Sequence, residues 1–482
     1  MADGLLAIYL LVWVIFAAYG VHRIHLIRLF RRRERNAMPP AAPREWPRVT
    51  VQLPVYNERY VVNRLVEAAA ALDYPRDRLE IQVLDDSTDV TREIAAGKVE
   101  ELRARGIDVV HLTRDSREGF KAGALQHGLE RAKGDLLAVF DADFVPPPSI
   151  LREMVPYFAD PRVGAVQSRW RYLNQDYSML AQAQAISLDG HFVIEHAARM
   201  AGGRFFNFNG TAGILRRACV TDAGGWQSDT LTEDLDLSYR AQLRGWRFVF
   251  APHVHCPSEL PVEMNAFKAQ QHRWVKGSIQ VARKLLPIIW RSRVPLAVKV
   301  ESTFHLTYNV AYVFLLLLSL IVYPVVLARI LRGSTAYAIA DTMLFLIATS
   351  SVIFYFGYAQ RETRRDWLRQ LRYLPFVMSL GMGLSITNTR AVLEALAGHR
   401  SPFHRTPKYR IESRGDRWRG KRYRSPLNGW ALLEIAIGLY FAWTMYALAH
   451  AKVYAPLPFF VLYLFGFLYV GILSLVHARA RS

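Results

Sequence analysis

Leu136-Leu137-Ala138-Val139-Phe140-Asp141-Ala142-Asp143-Phe144 decides the fold. Its apolar run, bounded by Gly134-Asp135 before and Pro146-Pro147-Pro148 after, reads as a buried strand. Two carboxylates follow where the strand ends. In an open α/β sheet, ligands bind beyond the carboxyl ends of the strands. Two aspartates one residue apart repel each other unless a cation lies near them. The pair therefore either holds a divalent metal on a diphosphate or closes a core strand as a polar turn.

The preceding chain supports a sheet. Val49–Leu53 reads as a strand ending at Pro54-Val55-Tyr56-Asn57-Glu58, and Val61, Val62, Leu65, Val66, Ala69 and Leu72 recur at helical spacing. Leu79–Leu84 is a second strand, ending at Asp85-Asp86-Ser87. A helix over Thr88–Arg105, a strand over Ile107–Leu112 and a helix from Gly119 through Arg131 complete the run. Successive β-α units predict a parallel sheet with helices on both faces. Neither a dinucleotide fingerprint nor a Gly-x-x-x-x-Gly-Lys-Ser/Thr phosphate loop is present.

The 482 residues exceed one typical core, and the 52% apolar content is concentrated at the N-terminus and after about residue 300. Mean hydropathy is +0.07. Leu5–Val21 is an apolar run followed by basic residues, the reverse of a signal peptide, and reads as a membrane anchor with its N-terminus outside. Later spanning stretches are Leu306–Ile330, Ile339–Tyr358, Leu427–Leu448 and Pro456–Val476. Leu371–Leu396 is broken by Arg390 and Glu394. If it crossed, the basic 400–424 loop would lie outside, so it is expected in the interface or re-entering on the same side. Much of the net charge of +20 flanks apolar spans, at Arg28–Arg35 and Arg400–Arg424, which favours a cytoplasmic membrane face and excludes nucleic acid as the expected partner.

Cys219 and Cys256 are the only cysteines, so no disulfide framework is indicated. His191–His196 has one residue too many for a His-x-x-Glu-His zinc pattern, and His253-Val254-His255-Cys256 lacks a second ligand pair. Beyond Pro148 the chain also carries Gly203–Gly213 (GRFFNFNGTAG), Leu231-Thr232-Glu233-Asp234 and Gln270-Gln271-His272-Arg273-Trp274.

Asp85-Asp86, Asp141-Ala142-Asp143, Thr232-Glu233-Asp234 and Gln270-x-x-Arg273-Trp274, in that order, resemble the processive membrane-embedded family-two glycosyltransferases, the cellulose synthase superfamily. The doubled Gln270-Gln271 and the run Gln82–Asp89 look most like its glucomannan-type branch. Phe403-x-Arg405-Thr406-x-Lys408 is similar to the gating loop of cellulose synthases, with Arg405 where Val is usual.

The resemblance implies an α/β GT-A (Rossmann-like) cytoplasmic domain and an α-helical transmembrane region of about five spans with interfacial helices. The expected divisions are an N-terminal transmembrane helix (1–35), a linker (36–47), the GT-A domain (48–260), interfacial helices with the QxxRW motif (261–300) and a channel region (301–482) with the gating loop at 398–426. It also implies an inverting hexosyltransferase that polymerises a β-linked glucan, mannan or glucomannan from UDP-glucose or GDP-mannose and passes it through its own helices. The alternative is transfer of one sugar to a lipid acceptor. By resemblance Asp234 is the catalytic base and Asp143 holds Mg2+ or Mn2+. Glu58, Asp85, Asp86, Lys121, Asp141, Gln270, Arg273 and Lys408 contact the nucleotide sugar, and Trp274 and Glu233 the acceptor. A metal with Lys121 and Arg273 nearby would offset charge on the departing diphosphate. The expected setting is multi-pass in an inner or plasma membrane, among lipids and with a cell-envelope export partner; no cyclic-dinucleotide-binding domain is expected after the last span.

Overall fold

The computed structural model describes residues 2–33, 40–332, 335–399, 405–423 and 429–479. Phe403 and parts of the expected linker and gating loop lie outside the described residues.

A seven-stranded sheet in the order β3-β2-β1-β4-β6-β5-β7 forms the centre of the chain. Its strands are β1 (Val49–Val55), β2 (Leu79–Asp85), β3 (Val109–Thr113), β4 (Leu136–Val139), β5 (Val163–Tyr172), β6 (Gly213–Arg216) and β7 (Arg247–Ser258). All residues of β2 and β4 are buried, as strands covered on both faces require. Helix Val62–Ala70 buries Val62, Leu65, Val66 and Ala69, the predicted apolar stripe. The core joins these side chains to Val51, Ile81, Ala138 and Phe140.

The sheet corrects one expectation. β1, β2, β3 and β4 are parallel, but β6 runs antiparallel to both β4 and β5, so the sheet is mixed. The reversal has a consequence for the site. Parallel register sets Val55 beside Asp85 and Gln52 beside Val139, so the ends of β1, β2 and β4 share one edge. Because β6 is reversed, its first residue, Gly213, pairs with Val139 at that same edge. The loop before β6 therefore meets the loop after β4. The end of β7 closes the same corner, where the Glu259 N–H donates to the Asp143 carbonyl at 3.1 Å.

Among the described residues, five helices are long and apolar enough to cross a membrane: Gly4–Arg31, Leu296–Ala328, Thr342–Thr363, Ala431–His450 and Leu457–Arg479. The second begins ten residues before the predicted Leu306, at Leu296, and passes through a 3-10 turn at Tyr308–Val310. The 371–396 stretch forms two helices, Leu374–Gly383 and Ser385–Leu396, of 10 and 12 residues. Neither reaches the roughly 20 residues a span needs.

The helix Met264–Arg291 links the two regions. Near its N-terminus Lys268 donates to both Glu434 carboxylate oxygens, at 2.6 and 2.9 Å, in the buried face of Ala431–His450. Further along, Lys276 donates to Glu394 at 2.8 Å and Lys284 pairs with Asp236 at 2.8 Å.

Candidate active site

The carboxyl edge of β1, β2 and β4 opens into a cavity lined by Glu58, Asp86, Lys121, Asp141, Asp143, Glu233, Asp234, Gln270, Arg273, Trp274 and Lys408. Eleven of the twelve residues expected in a site from sequence thus share one cleft. Asp85 is the exception. It is fully buried, its Oδ1 accepts the Ser87 N–H at 2.8 Å and its Oδ2 lies 2.9 Å from His111 Nε2. Asp85 thus holds the turn behind the cavity, whose wall includes Asp86 and not Asp85.

The carboxylates are balanced by cations on separate elements. Lys121, in the helix Phe120–Arg131, stands 2.6 Å from Asp141 Oδ1 and donates to the Gly210 carbonyl at 3.0 Å. Lys408 donates to Asp143 Oδ2 at 2.6 Å. Arg114 grips Asp86 through Nε at 2.9 Å and through Nη2. Arg405 pairs with Glu58 at 3.1 Å and lies 4.0 Å over the Tyr423 ring, which accounts for arginine at that gating-loop position. Burial pushes the Glu58 carboxyl up to about 8, against the pull of Arg405 and Lys408. Glu58 Oε2 is buried with no hydrogen-bond partner among the described residues. Burial also raises the Asp141 carboxyl, while Lys121 draws it back.

Asp234 lies in the first turn of helix Glu233–Leu243. Its Oδ1 accepts the Leu235 N–H at 2.8 Å. Burial, with Glu233 beside it, pushes its carboxyl up to about 7, while Lys121 opposes the rise. The Gln-x-x-Arg-Trp helix is docked onto this turn by three contacts. Gln280 accepts the Leu231 N–H at 2.9 Å, Lys284 reaches Asp236, and a Cβ at Gly277 would fall 2.5 Å from the Thr232 side chain. Burial lowers the Arg273 pKa, and the carboxylates of Glu233, Asp141, Asp234 and Asp143 raise it.

Gly210 has φ +75°, and a Cβ there would sit 2.8 Å from Asp234 Oδ2. Thr211 Oγ1 accepts the Asp141 N–H at 2.8 Å. Gly210 and Thr211 thus lie against both carboxylate motifs. Gly210→Ala meets the positive φ and the carboxylate together; transfer activity is expected to fall at least about tenfold, with a smaller loss of thermal stability. An alanine variant of full activity would break this account.

Sequence reasoning did not single out Tyr56, Arg117, Trp170 or Asn209, which also line the cavity. The Arg117 guanidinium lies 3.3 Å over the Tyr56 ring. Tyr56 sits at the end of β1 beside Glu58, a position from which it could have been inferred.

A mixed sheet whose carboxyl edge carries this acidic cleft defines a nucleotide-sugar transferase fold of GT-A type. Residues 47–277 match the family described as "Glycosyltransferase like family 2". The chain is similar to Glucomannan 4-beta-mannosyltransferase 2 of Arabidopsis thaliana, with 43% identity over 253 residues, 52% of this chain and 47% of that protein. It is also similar to Glucomannan 4-beta-mannosyltransferase 1 of Oryza sativa subsp. japonica, with 40% identity over 276 residues, 56% of this chain and 52% of that protein. The chain therefore spans about half the length of the curated relatives it matches. In three dimensions it superposes on "Mannosyltransferase PcManGT from Pyrobaculum calidifontis in complex with GDP-Man and Mn2+" with a TM-score of 0.56 and 22% identity, covering 81% of this chain and 99% of that one. The likeness to glucomannan-type enzymes expected from the motifs is borne out by these relatives.

Proposed function

We propose that the chain is an inverting hexosyltransferase that extends a β-linked mannan or glucomannan, taking mannose from GDP-mannose on the cytoplasmic side of a membrane. The observation that carries the reading is the convergence of Asp234, Arg273 and Trp274 with Asp141, Asp143, Lys121 and Lys408 around one cleft. The relatives named above support mannose as the sugar, and basic residues beside the apolar spans support the cytoplasmic side.

Asp234 Oδ1 is held by the Leu235 N–H, leaving Oδ2 to take the proton of the acceptor hydroxyl as it attacks. Lys121, Arg273 and Lys408 face the diphosphate and stabilise the charge that builds on it. Trp274 offers a flat apolar face to the acceptor ring. Glu58 Oε2 and Asp86 face the nucleoside.

The donor set also fits a divalent cation. Hard carboxylate oxygens occur in a pair, and a lysine ammonium now stands on each. Among the described residues no group of three or more His, Cys, Asp or Glu could hold a metal alone. This suits Mg2+ or Mn2+, which bind through one or two carboxylates and complete their shell with substrate phosphates. Asp143 would hold the ion, and the ion would supply further charge neutralisation on the diphosphate.

The test is purified full-length protein in lipid, assayed against a panel of nucleotide sugars that includes GDP-mannose and UDP-glucose. A polymer cleaved by β-mannanase is expected. Product that is wholly chloroform-soluble would overturn the polymerase reading. The base must be ionised to act, so kcat/KM should rise with pH along an acid limb whose midpoint is about 7. Lys121 opposes the rise of the Asp234 pKa, so Lys121→Met should move that midpoint to higher pH. A rate flat from about pH 5 to 8 contradicts Asp234 as the base.

A further inference from the structure

The loop before β6 carries a polar side chain that lines the cavity and has no role so far. Asn209 precedes Gly210 and lines the same cavity as Asp234. Its carboxamide is held from both ends. His196 Nε2 lies 2.7 Å from Asn209 Oδ1, and Asn209 Nδ2 lies 3.0 Å from His191 Nε2. The backbone is fixed as well, because the Asn209 N–H donates to Gln167 Oε1 at 2.9 Å.

The direction of these bonds follows from the charges behind them. Glu195 is held well below the usual carboxylate range: burial opposes ionisation, but Arg199 and His191 outweigh it. An ionised carboxylate only accepts, so His191 Nδ1, 3.2 Å from Glu195 Oε2, carries the proton. A neutral His191 with its proton on Nδ1 accepts at Nε2 from the Asn209 amide nitrogen, which turns Asn209 Oδ1 toward His196. His196 must donate from Nε2. Burial holds it neutral, well below its usual pKa, and its Nδ1 has no partner among the described residues. Every donor in this chain meets an acceptor, and the reversed amide would break two contacts.

The clamp is anchored. Arg199, 2% exposed, donates to Glu195 at 3.0 Å and to Glu301 at 3.0 Å, and Glu301 lies 2.9 Å from His22 of the first membrane helix. Both histidines belong to a π-helical turn, Gly190–His196, a geometry that recurs at functional sites.

A second observation points to a ligand. The Trp170 Nε1 is buried without a hydrogen-bond partner among the described residues, and Trp170 lines the same cavity. Its ring is 4.8 Å from that of Phe192, between the two histidines in sequence.

We propose that Asn209 is a binding residue for the hydroxyls of the acceptor's terminal sugar, its carboxamide held in one orientation by His191 and His196. The proposal rests on reading the cavity as a glycosyl-transfer site. The clamp leaves Asn209 one N–H and one carbonyl lone pair, a donor and an acceptor of the kind that sugar hydroxyls match. A Cβ on the adjacent Gly210 would fall 2.8 Å from Asp234 Oδ2, so the loop packs against the group that takes the acceptor's proton, which favours the acceptor as the sugar bound. His191 and His196 are positioning residues that act through Asn209.

The experiment uses full-length protein in lipid nanodiscs, with β-1,4-mannotetraose and cellotetraose as probes and GDP and UDP as nucleotides. Tetrasaccharide binding is read by tryptophan fluorescence, nucleotide binding by calorimetry, and acceptor KM and kcat by transfer. Asn209→Ala and His196→Ala should weaken tetrasaccharide binding and raise acceptor KM at least about tenfold, with nucleotide affinity unchanged. His196→Gln, whose side-chain N–H can replace Nε2–H, should recover most of the loss; a merely structural role predicts no such rescue. Parallel loss of nucleotide and tetrasaccharide binding, unchanged tetrasaccharide binding in the variants, or a wild type that binds neither sugar overturns the proposal. A wild type that binds sugar and nucleotide but transfers none defeats the enzymatic reading alone.

Discussion

Asp234→Asn is expected to lower glycosyl transfer by about 10²–10⁴-fold, the range for removal of a positioned general base. The substitution keeps the side chain's size, so the Leu235 N–H can still be accepted at Oδ1. It removes the atom that takes the proton. GDP affinity should stay near wild type, because Glu58 and Asp86, which face the nucleoside, lie beyond the ends of β1 and β2. The measurement is initial rate under saturating donor, alongside nucleotide binding by calorimetry. An asparagine variant retaining more than about a tenth of the rate would move the base elsewhere in the cleft. The nearest alternative is Glu233, which precedes it in the same turn and lies 3.8 Å from Lys121.

The second large effect is on stability. Lys268 and Glu434 are 3% and 0% exposed, so Glu434→Ala would leave an ammonium buried without its partner. Breaking such a pair from one side costs about 3–5 kcal/mol. The thermal midpoint of the detergent-solubilised protein should fall accordingly. Lys268→Met with Glu434→Leu removes both charges and should return most of the loss, since an apolar pair of similar size costs little. If Glu434→Ala leaves the midpoint unchanged, the pair is solvated and contributes nothing.

The regular half of the sheet was readable from sequence because physics there is local. Alternating β-α units with Val and Leu runs specify β1, β2 and β4, and each predicted boundary fell within a few residues. The motifs at the strand ends were readable for the same reason. β6 was not: four residues, Gly213–Arg216, give too short a pattern to reveal direction, which is fixed by pairing with distant β4 and β5. Asp85 was assigned with its neighbour, since a doubled acid does not show which member turns inward. His111, 26 residues away, decides it. Asn209 was hidden in an aromatic, glycine-rich stretch. Its importance comes from two histidines that spacing had suggested only as a poor zinc pattern.

The helix Met264–Arg291 carries Arg273 and Trp274 in the cleft and, less than two turns earlier, Lys268 among membrane helices. Transfer in the cleft is therefore expected to respond to the thickness and lateral pressure of the bilayer. Detergents that loosen the contact between Ala431–His450 and this rod should lower turnover before they unfold the sheet, and a lipid of matched thickness should restore it.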